Sequence, residues 1–162
     1  MQDDAADTDT REVTSALLAA SRLIVALSAH ALGDVDETLT LPQLRTLVVL
    51  ADRPPLKLTE LAAELGVNPS TALRMADRLA AAGLLARRPN PDSRREQLVR
   101  LTAAGRDLVG TVMDRRHAEI AALVARLPAA DRAGLVRALR SLTAAARETY
   151  PDSPDHPGLR LD

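Results

Sequence analysis

Apolar residues recur every three or four positions over residues 13–32, the pattern of a helix with one apolar face. The periodic positions are Leu17, Ala20, Ile24, Leu27 and Ala31. Gly33 ends this predicted helix. A second helix begins near Thr40, with Pro42 in its first turn, where a missing N–H costs nothing. The expected buried stripe of the second helix consists of Leu44, Leu47, Val48 and Ala51.

Two shorter helices follow, and the break between them contains a glycine. Thr59 is the expected N-cap of the first, which covers residues 60–65. Asn68 is the expected N-cap of the second, which has Pro69 at its first position and runs to about Ala82. Two helices joined in this way form a candidate helix-turn-helix.

A β-hairpin and two further helices are predicted after the helix-turn-helix. The strands begin at Leu84 and at Glu96, and a Pro-Asn-Pro-Asp turn at residues 89–92 joins them. Thr102 caps a helix that runs to about Leu127, and the last helix covers about residues 130–148.

Both ends of the chain lack an apolar period. Residues 1–12 are acidic and residues 150–162 are rich in proline, so we expect two disordered tails.

Composition narrows the range of functions. The chain has no Phe, Trp or Cys, and Tyr150 is its only aromatic residue. Modules for single-stranded nucleic acid rely on bases stacking on rings, so they are disfavoured. The absence of Cys excludes thiol catalysis and Cys-ligated zinc. No apolar run approaches the roughly 18 residues of a membrane span, and the N-terminus is acidic where a secretory signal would be basic. We therefore expect a soluble cytoplasmic protein without a membrane partner.

The formal net charge of −1 conceals an uneven distribution. Residues 1–12 carry a net charge of −4, whereas residues 53–100 carry nine bases against five acids, a net charge of +4. A polyanion is therefore a candidate partner of the middle of the chain.

The second helix of the helix-turn-helix has two different faces. Its apolar face is expected to pack on the preceding helix and consists of Ala72, Met75, Ala76 and Leu79. The opposite side carries Ser70, Thr71, Leu73, Arg74 and Arg78. In a DNA major groove, the hydroxyls and free N–H groups would hold phosphates and Arg74 would fork onto a guanine edge. The alternative is a helical hairpin inside an ordinary bundle, with its arginines solvated.

The hairpin adds a concentration of arginine next to this helix. Residues 87–100 contain five Arg against two acids, and an exposed Arg at such a tip can enter a narrow minor groove. The alternative is an edge hairpin that its charges protect from aggregation.

Together these motifs resemble the MarR family of winged helix-turn-helix regulators over residues 13–148. The matching segments are 41–45 (LPQLR), 58–62 (LTELA), 70–72 (STA), 77–79 (DRL), 82–85 (AGLL), 92–95 (DSRR), 98–102 (LVRLT) and Gly105. The implied fold is mainly α with a small β-hairpin wing. A winged helix-turn-helix lobe would cover residues 41–102, and residues 13–40 and 103–149 would form dimerisation helices.

The resemblance also implies a function. Such proteins are usually repressors that bind a pseudo-palindromic DNA duplex as homodimers and are released by a small, often phenolic or lipophilic, effector. Some members of the family activate transcription instead, and some have no known ligand. The expected DNA-binding residues are Asn68, Ser70, Thr71, Leu73, Arg74, Arg78, Arg87, Arg88, Arg94 and Arg95.

The wing departs from the family's pattern at one position. Arg95 falls on the family's minor-groove arginine, but Ser93 stands where the family often has an Asp that orients that arginine. Asp92 is one residue early. Either the wing shifts its register or Arg95 is held less tightly.

Dimerisation also follows from the length of the terminal helices. Helices of about 20 residues rich in Leu, Val and Ala at both ends cannot all be covered by so small a lobe. A twofold dimer would bury them and set two recognition helices about one DNA turn apart. The alternative is a monomer whose terminal helices fold onto their own lobe.

Little else in the sequence suggests chemistry. The three histidines have no metal-binding spacing, and there is no phosphate loop or nucleophile elbow, so no enzyme, metal or cofactor is expected. Candidate residues for an effector pocket are Arg22, His30, Arg45 and His117. The competing functional interpretation is a helical dimeric protein-interaction module without specific DNA binding, whose wing docks on an acidic partner.

Overall fold

The computed structural model describes residues 2–51, 53–91 and 93–149, apart from the side chains of residues 2–7, 94 and 95. Its elements are α1 (Gln2–Gly33), α2 (Leu41–Ala51), β1 (Leu56–Lys57), α3 (Leu58–Leu65), α4 (Pro69–Ala81), β2 (Leu85–Asn90), β3 (Ser93–Leu101), α5 (Ala103–Ala125) and α6 (Ala129–Thr149). The fold is mainly helical with one small antiparallel sheet, which confirms the predicted fold class.

Helix α1 is longer than predicted. It begins at Gln2, so the expected disordered tail is wrong over residues 2–12. No Gly or Pro interrupts this segment. Its acidic residues lie near the positive end of the helix dipole, where negative charge is stabilising. The other expected tail, residues 150–162, lies outside the described residues.

Helix α3 begins before the predicted N-cap, Thr59. Its N-cap is Lys57, whose backbone N–H donates to the Glu60 carboxylate at 2.8 Å. Glu60 thereby satisfies a backbone donor at the start of the helix, and this allows the helix to begin at Leu58. Gly66 ends it with a φ of 67°, in the left-handed region that glycine adopts without strain.

The sheet has the strand order β1-β3-β2. Strand β1 was not predicted, because two residues are too few to show a period. Its pairing of Leu56 with Val99 and of Lys57 with Leu98 makes it a strand.

The hairpin is longer than predicted. Pro89 and Asn90 belong to β2 rather than to a turn, and β3 begins at Ser93 rather than Glu96. The register jumps from Pro89 opposite Gln97 to Asn90 opposite Ser93, so β3 has extra residues at this point. This irregularity keeps both strands paired almost to the tip.

The main core lies inside the lobe between the helix-turn-helix and the sheet. Fully buried side chains from α2, α3, α4 and β3 meet there, among them Leu47, Leu61, Leu79 and Val99. In α2, Leu44 and Leu47 are buried as predicted. Val48 and Ala51 are only half-buried, and Thr46 and Leu50 are buried instead. Thr46 tolerates burial because its hydroxyl donates to the Pro42 carbonyl at 2.9 Å.

The terminal helices leave most of their apolar side chains exposed. Only Ala31 and Leu32 are buried in the described side chains of α1, and α6 has no buried residue. The exposed large apolar residues on these two helices are Val13, Leu18, Leu23, Val25, Leu135, Val136, Leu139 and Leu142.

The length and composition of α1 correct the expectation that no apolar run approaches the length of a membrane span. The stretch Thr8–Gly33 is long and apolar enough to cross a membrane by length and composition, with a mean hydropathy of 1.6 over 18 residues. Ala, Leu and Val offset the polar residues that interrupt the run. A core helix of a soluble protein passes the same test.

Candidate nucleic-acid interface

The start of α4 is held by its N-cap. The Asn68 carbonyl Oδ1 accepts a hydrogen bond from the Thr71 backbone N–H at 2.8 Å and another from the Ser70 hydroxyl at 2.7 Å. Pro69 occupies the first turn, as predicted. Side-chain hydrogen bonds therefore hold the first turn of α4, which presents polar groups beside a helix N-terminus.

Helix α4 has the two faces that the sequence predicted. Ala72, Ala76 and Leu79 are fully buried, and Met75, the fourth residue of the predicted apolar face, is half-buried against the core. On the other side Ser70, Leu73, Arg74 and Arg78 are exposed, whereas Thr71 is half-buried. The Arg74 guanidinium donates to the Thr71 hydroxyl at 3.0 Å. The helix thus offers hydroxyl and guanidinium groups along a single exposed surface.

The four wing arginines that were predicted to bind DNA do not share one environment. Arg88 is exposed. Arg87 is half-buried, and its guanidinium lies 2.5 Å from the Asp77 carboxylate and 3.4 Å from the Leu73 carbonyl, both on α4. Arg94 and Arg95 lie in β3, but their side chains are outside the described part of the chain, as is Asp92.

A small polar network ties the wing to β1. The Glu96 carboxylate lies 3.0 Å from the Lys57 ammonium and accepts a hydrogen bond from the Asn90 amide at 2.8 Å. The hydrogen bond from Lys57, and then that from Asn90, lowers the pKa of Glu96. This network was not predicted from the sequence, because 39 positions separate Lys57 from Glu96.

A cavity of about 310 Å³ lies between α1, α2 and α5. Its walls include Val25, Leu44, Val48 and Met113, and its polar lining includes Arg45 and Arg116. Burial leaves Arg116 Nε without a hydrogen-bond partner among the described residues.

Of the four effector-pocket candidates, only Arg45 lines this cavity. Arg22, His30 and His117 are exposed elsewhere on α1 and α5. Arg116 was not among the candidates, because one helical period alone does not identify the residues of α5 that face α2.

His30 belongs instead to a cluster of charged groups between α1 and α5. Its Nδ1 lies 2.9 Å from Glu119 and 3.9 Å from Asp34, and Arg115 lies 2.6 Å from Asp34. The hydrogen bond with Glu119, and then the charges of Asp34 and Glu119, raise the pKa of His30.

The donor atoms of His30, Asp34 and Glu119 lie within 4.8 Å of one another, a spacing that suits a metal ion. The sequence reading did not find this set, because Glu119 is 89 positions from His30. With His30 protonated, its charge and that of Arg115 balance the charges of the two carboxylates. The second oxygen of Glu119, Oε2, is buried without a hydrogen-bond partner among the described residues.

The MarR family model matches residues 39–97. The crystal structure of RV1404 from Mycobacterium tuberculosis is 53% identical, with a TM-score of 0.77 over 82% of this chain and 91% of that chain. The chain belongs to the MarR family. The resemblance to this family and the predicted winged-helix fold are thereby confirmed, and the protein is a transcription regulator of this family.

Two other proteins are similar to this chain. The MarR family protein RV2887 of M. tuberculosis is 28% identical, with a TM-score of 0.64 over 80% of this chain and 92% of that one. YfiV of Bacillus subtilis, described as an uncharacterized HTH-type transcriptional regulator, is 26% identical over 98 residues. That match covers 58% of this chain and 61% of YfiV.

Proposed function

We propose that this MarR family regulator represses transcription from the cytoplasm by binding a pseudo-palindromic DNA duplex as a homodimer. The observation that carries the proposal is the exposed polar face of α4, which lies beside the basic wing in a segment with a net charge of +4. A helix of this kind fits the major groove, and the arginines of the wing fit the minor groove.

The proposed contacts with DNA are of three kinds: phosphate contacts, base contacts and minor-groove contacts. Asn68, Ser70 and Thr71 hold phosphates near the start of α4, since N–H and hydroxyl groups there bind anions. Arg74 reads a guanine, and Leu73, which is 40% exposed, contacts a thymine methyl. Phosphate and minor-groove contacts come from Arg78, Arg88, Arg94 and Arg95.

The same proposal divides the chain into a DNA-binding lobe and a dimerisation region. Residues 41–102 form the DNA-binding lobe, and residues 13–40 and 103–149 form the dimerisation region. The exposed apolar side chains of α1 and α6 support this division, because a twofold partner would bury them.

Fluorescence anisotropy tests the DNA-binding proposal. The duplex upstream of the protein's own coding region is compared with a scrambled duplex at several salt concentrations. We expect specific binding that weakens with salt, with a log–log slope near −0.9 for each phosphate neutralised. Equal, weak binding to both duplexes, together with no preferred duplex in a genomic pull-down, would favour a protein-interaction module instead.

The cavity between α1, α2 and α5 is the proposed effector site. Its apolar walls would hold a ring or an alkyl body, and Arg45 and Arg116 would hold a carboxylate or a phenol oxygen. Benzoate and phenol are suitable probes for release of the bound duplex. Arg116→Ala should abolish release by benzoate while leaving the DNA affinity unchanged. Release that persists in this variant would contradict the assignment of the cavity.

A further inference from the structure

Arg87 lines a cleft between α4, the proposed recognition helix, and the wing. The cleft measures about 380 Å³, and its lining includes Leu58, Leu73 and Arg87. The Arg87 guanidinium lies 2.5 Å from the Asp77 carboxylate and 3.4 Å from the Leu73 carbonyl, two acceptors one turn apart on α4. A charged contact therefore joins β2 to α4 where apolar packing is incomplete.

The side chain of Arg87 is poorly placed to reach DNA. Only 22% of it is exposed, and its Nε is buried without a hydrogen-bond partner among the described residues. Its strand partner is Val99, which is fully buried. The next residue, Arg88, is exposed, and side chains alternate along a strand. Neighbouring arginines thus have different surroundings.

We propose that Arg87 is a positioning residue, which pairs with Asp77 to fix the angle between the wing and α4 and makes no contact with DNA itself. This proposal rests on the proposed DNA-binding function. Because the Asp77 side chain is 57% exposed, the ion pair contributes little to stability. The ion pair instead sets the orientation of the wing relative to α4, because the recognition helix and the wing must enter adjacent grooves of the DNA together.

The direction in which Asp77→Asn changes the DNA affinity tests this proposal. Removing an acid near a bound polyanion should strengthen binding if only charge matters. If Asp77 acts through Arg87, Asp77→Asn should instead weaken binding to the operator duplex. Asp107→Asn is the matched control, since Asp107 is an exposed acid on α5.

The first measurement is anisotropy with the duplex from upstream of the coding region. Arg87→Ala and Asp77→Asn should each weaken specific binding by about tenfold, and the double variant should bind no more weakly than either single variant. The salt slope should be unchanged in all three. Arg88→Ala, in contrast, should reduce the slope by about 0.9, because it removes a phosphate contact. Tight binding by Asp77→Asn, with a reduced slope in Arg87→Ala, would overturn the proposal.

The second measurement needs no DNA. Because the chain has no Cys, spin labels can be attached at Gln97→Cys and Ala81→Cys, both exposed positions. Labelled chains are diluted with unlabelled ones, so that only distances within one chain are measured. Arg87→Ala and Asp77→Asn should broaden the distance distribution, whereas Arg88→Ala should not. An unchanged distribution in Arg87→Ala would refute the positioning role, even if the protein proves not to bind the duplex.

Discussion

Arg74 donates a hydrogen bond from Nη2 to the hydroxyl of Thr71, one turn earlier on α4, at 3.0 Å. Thr71 is itself held at the N-cap, since its backbone N–H donates to Asn68. The guanidinium proposed to read a base is thus connected to the N-cap through Thr71, and this hydrogen bond reduces the side-chain freedom that would be lost on binding.

Arg74→Ala should reduce discrimination between the operator and a scrambled duplex by roughly 1–3 kcal/mol, because a forked contact with guanine is lost. Thr71→Val keeps the shape but removes the acceptor, so its effect should be smaller. Anisotropy with both duplexes measures the change. Arg126→Ala is the control, since Arg126 is exposed at the end of α5. An equal loss on both duplexes would mean that Arg74 contacts phosphate only.

Asn68→Ala should lower the free energy of unfolding by about 1 kcal/mol, because the Thr71 N–H loses its side-chain acceptor. Asn68→Asp retains an acceptor oxygen and should preserve most of the stability. Urea denaturation followed by circular dichroism measures both variants. Equal destabilisation by Ala and Asp would show that the cap is not the cause.

Gly105→Ala should destabilise the lobe by about 1–3 kcal/mol. A Cβ at this position would overlap the carbonyl oxygen of Leu84, which is backbone and cannot rotate away. Gly110→Ala on the same helix meets nothing within 4 Å and should be neutral or stabilising by up to about 1 kcal/mol. Thermal unfolding of the two variants compares these effects. Similar melting temperatures would contradict the close approach.

His30 should make stability depend on pH. Its pairing with Glu119 raises its pKa above the ordinary value of 6.5, so the folded state favours the protonated ring. The stabilisation is fully present below pH 6.5 and disappears as the pH rises through the raised pKa.

Urea denaturation of the wild type and His30→Gln between pH 5.5 and 8 tests this effect. The difference in their free energies of unfolding should shrink as the pH rises, and Glu119→Gln should reduce the dependence. A difference that does not change with pH would refute it.

Leu139→Asp should weaken the proposed dimer. Leu139 is 45% exposed on α6, and a charge there would have to be buried against a partner. We expect the dimer dissociation constant to rise by about tenfold or more. Sedimentation at several concentrations measures it. Leu73→Asp is the matched control, because Leu73 is 40% exposed on α4 and should leave the mass unchanged. The same shift in both variants would exclude α6 as the interface.

The recognition helix could be predicted almost completely from the sequence. Its cap at Asn68, its Pro69 and its buried small residues all follow from local rules with a period of 3.6. The ends of elements were less predictable. Lys57 replaced Thr59 as the cap of α3 because the Glu60 carboxylate reaches back to the Lys57 N–H, and β1 exists only through its pairing with β3.

What the sequence determined by itself is therefore the order of the helices, the two faces of α4 and the basic hairpin, since each depends on neighbours within a few residues. Only the tertiary structure could bring together Arg87 with Asp77, Lys57 with Glu96, and His30 with Glu119. The last two pairs join residues 39 and 89 positions apart. Contacts at such separations depend on how the elements pack, and no local period encodes that packing.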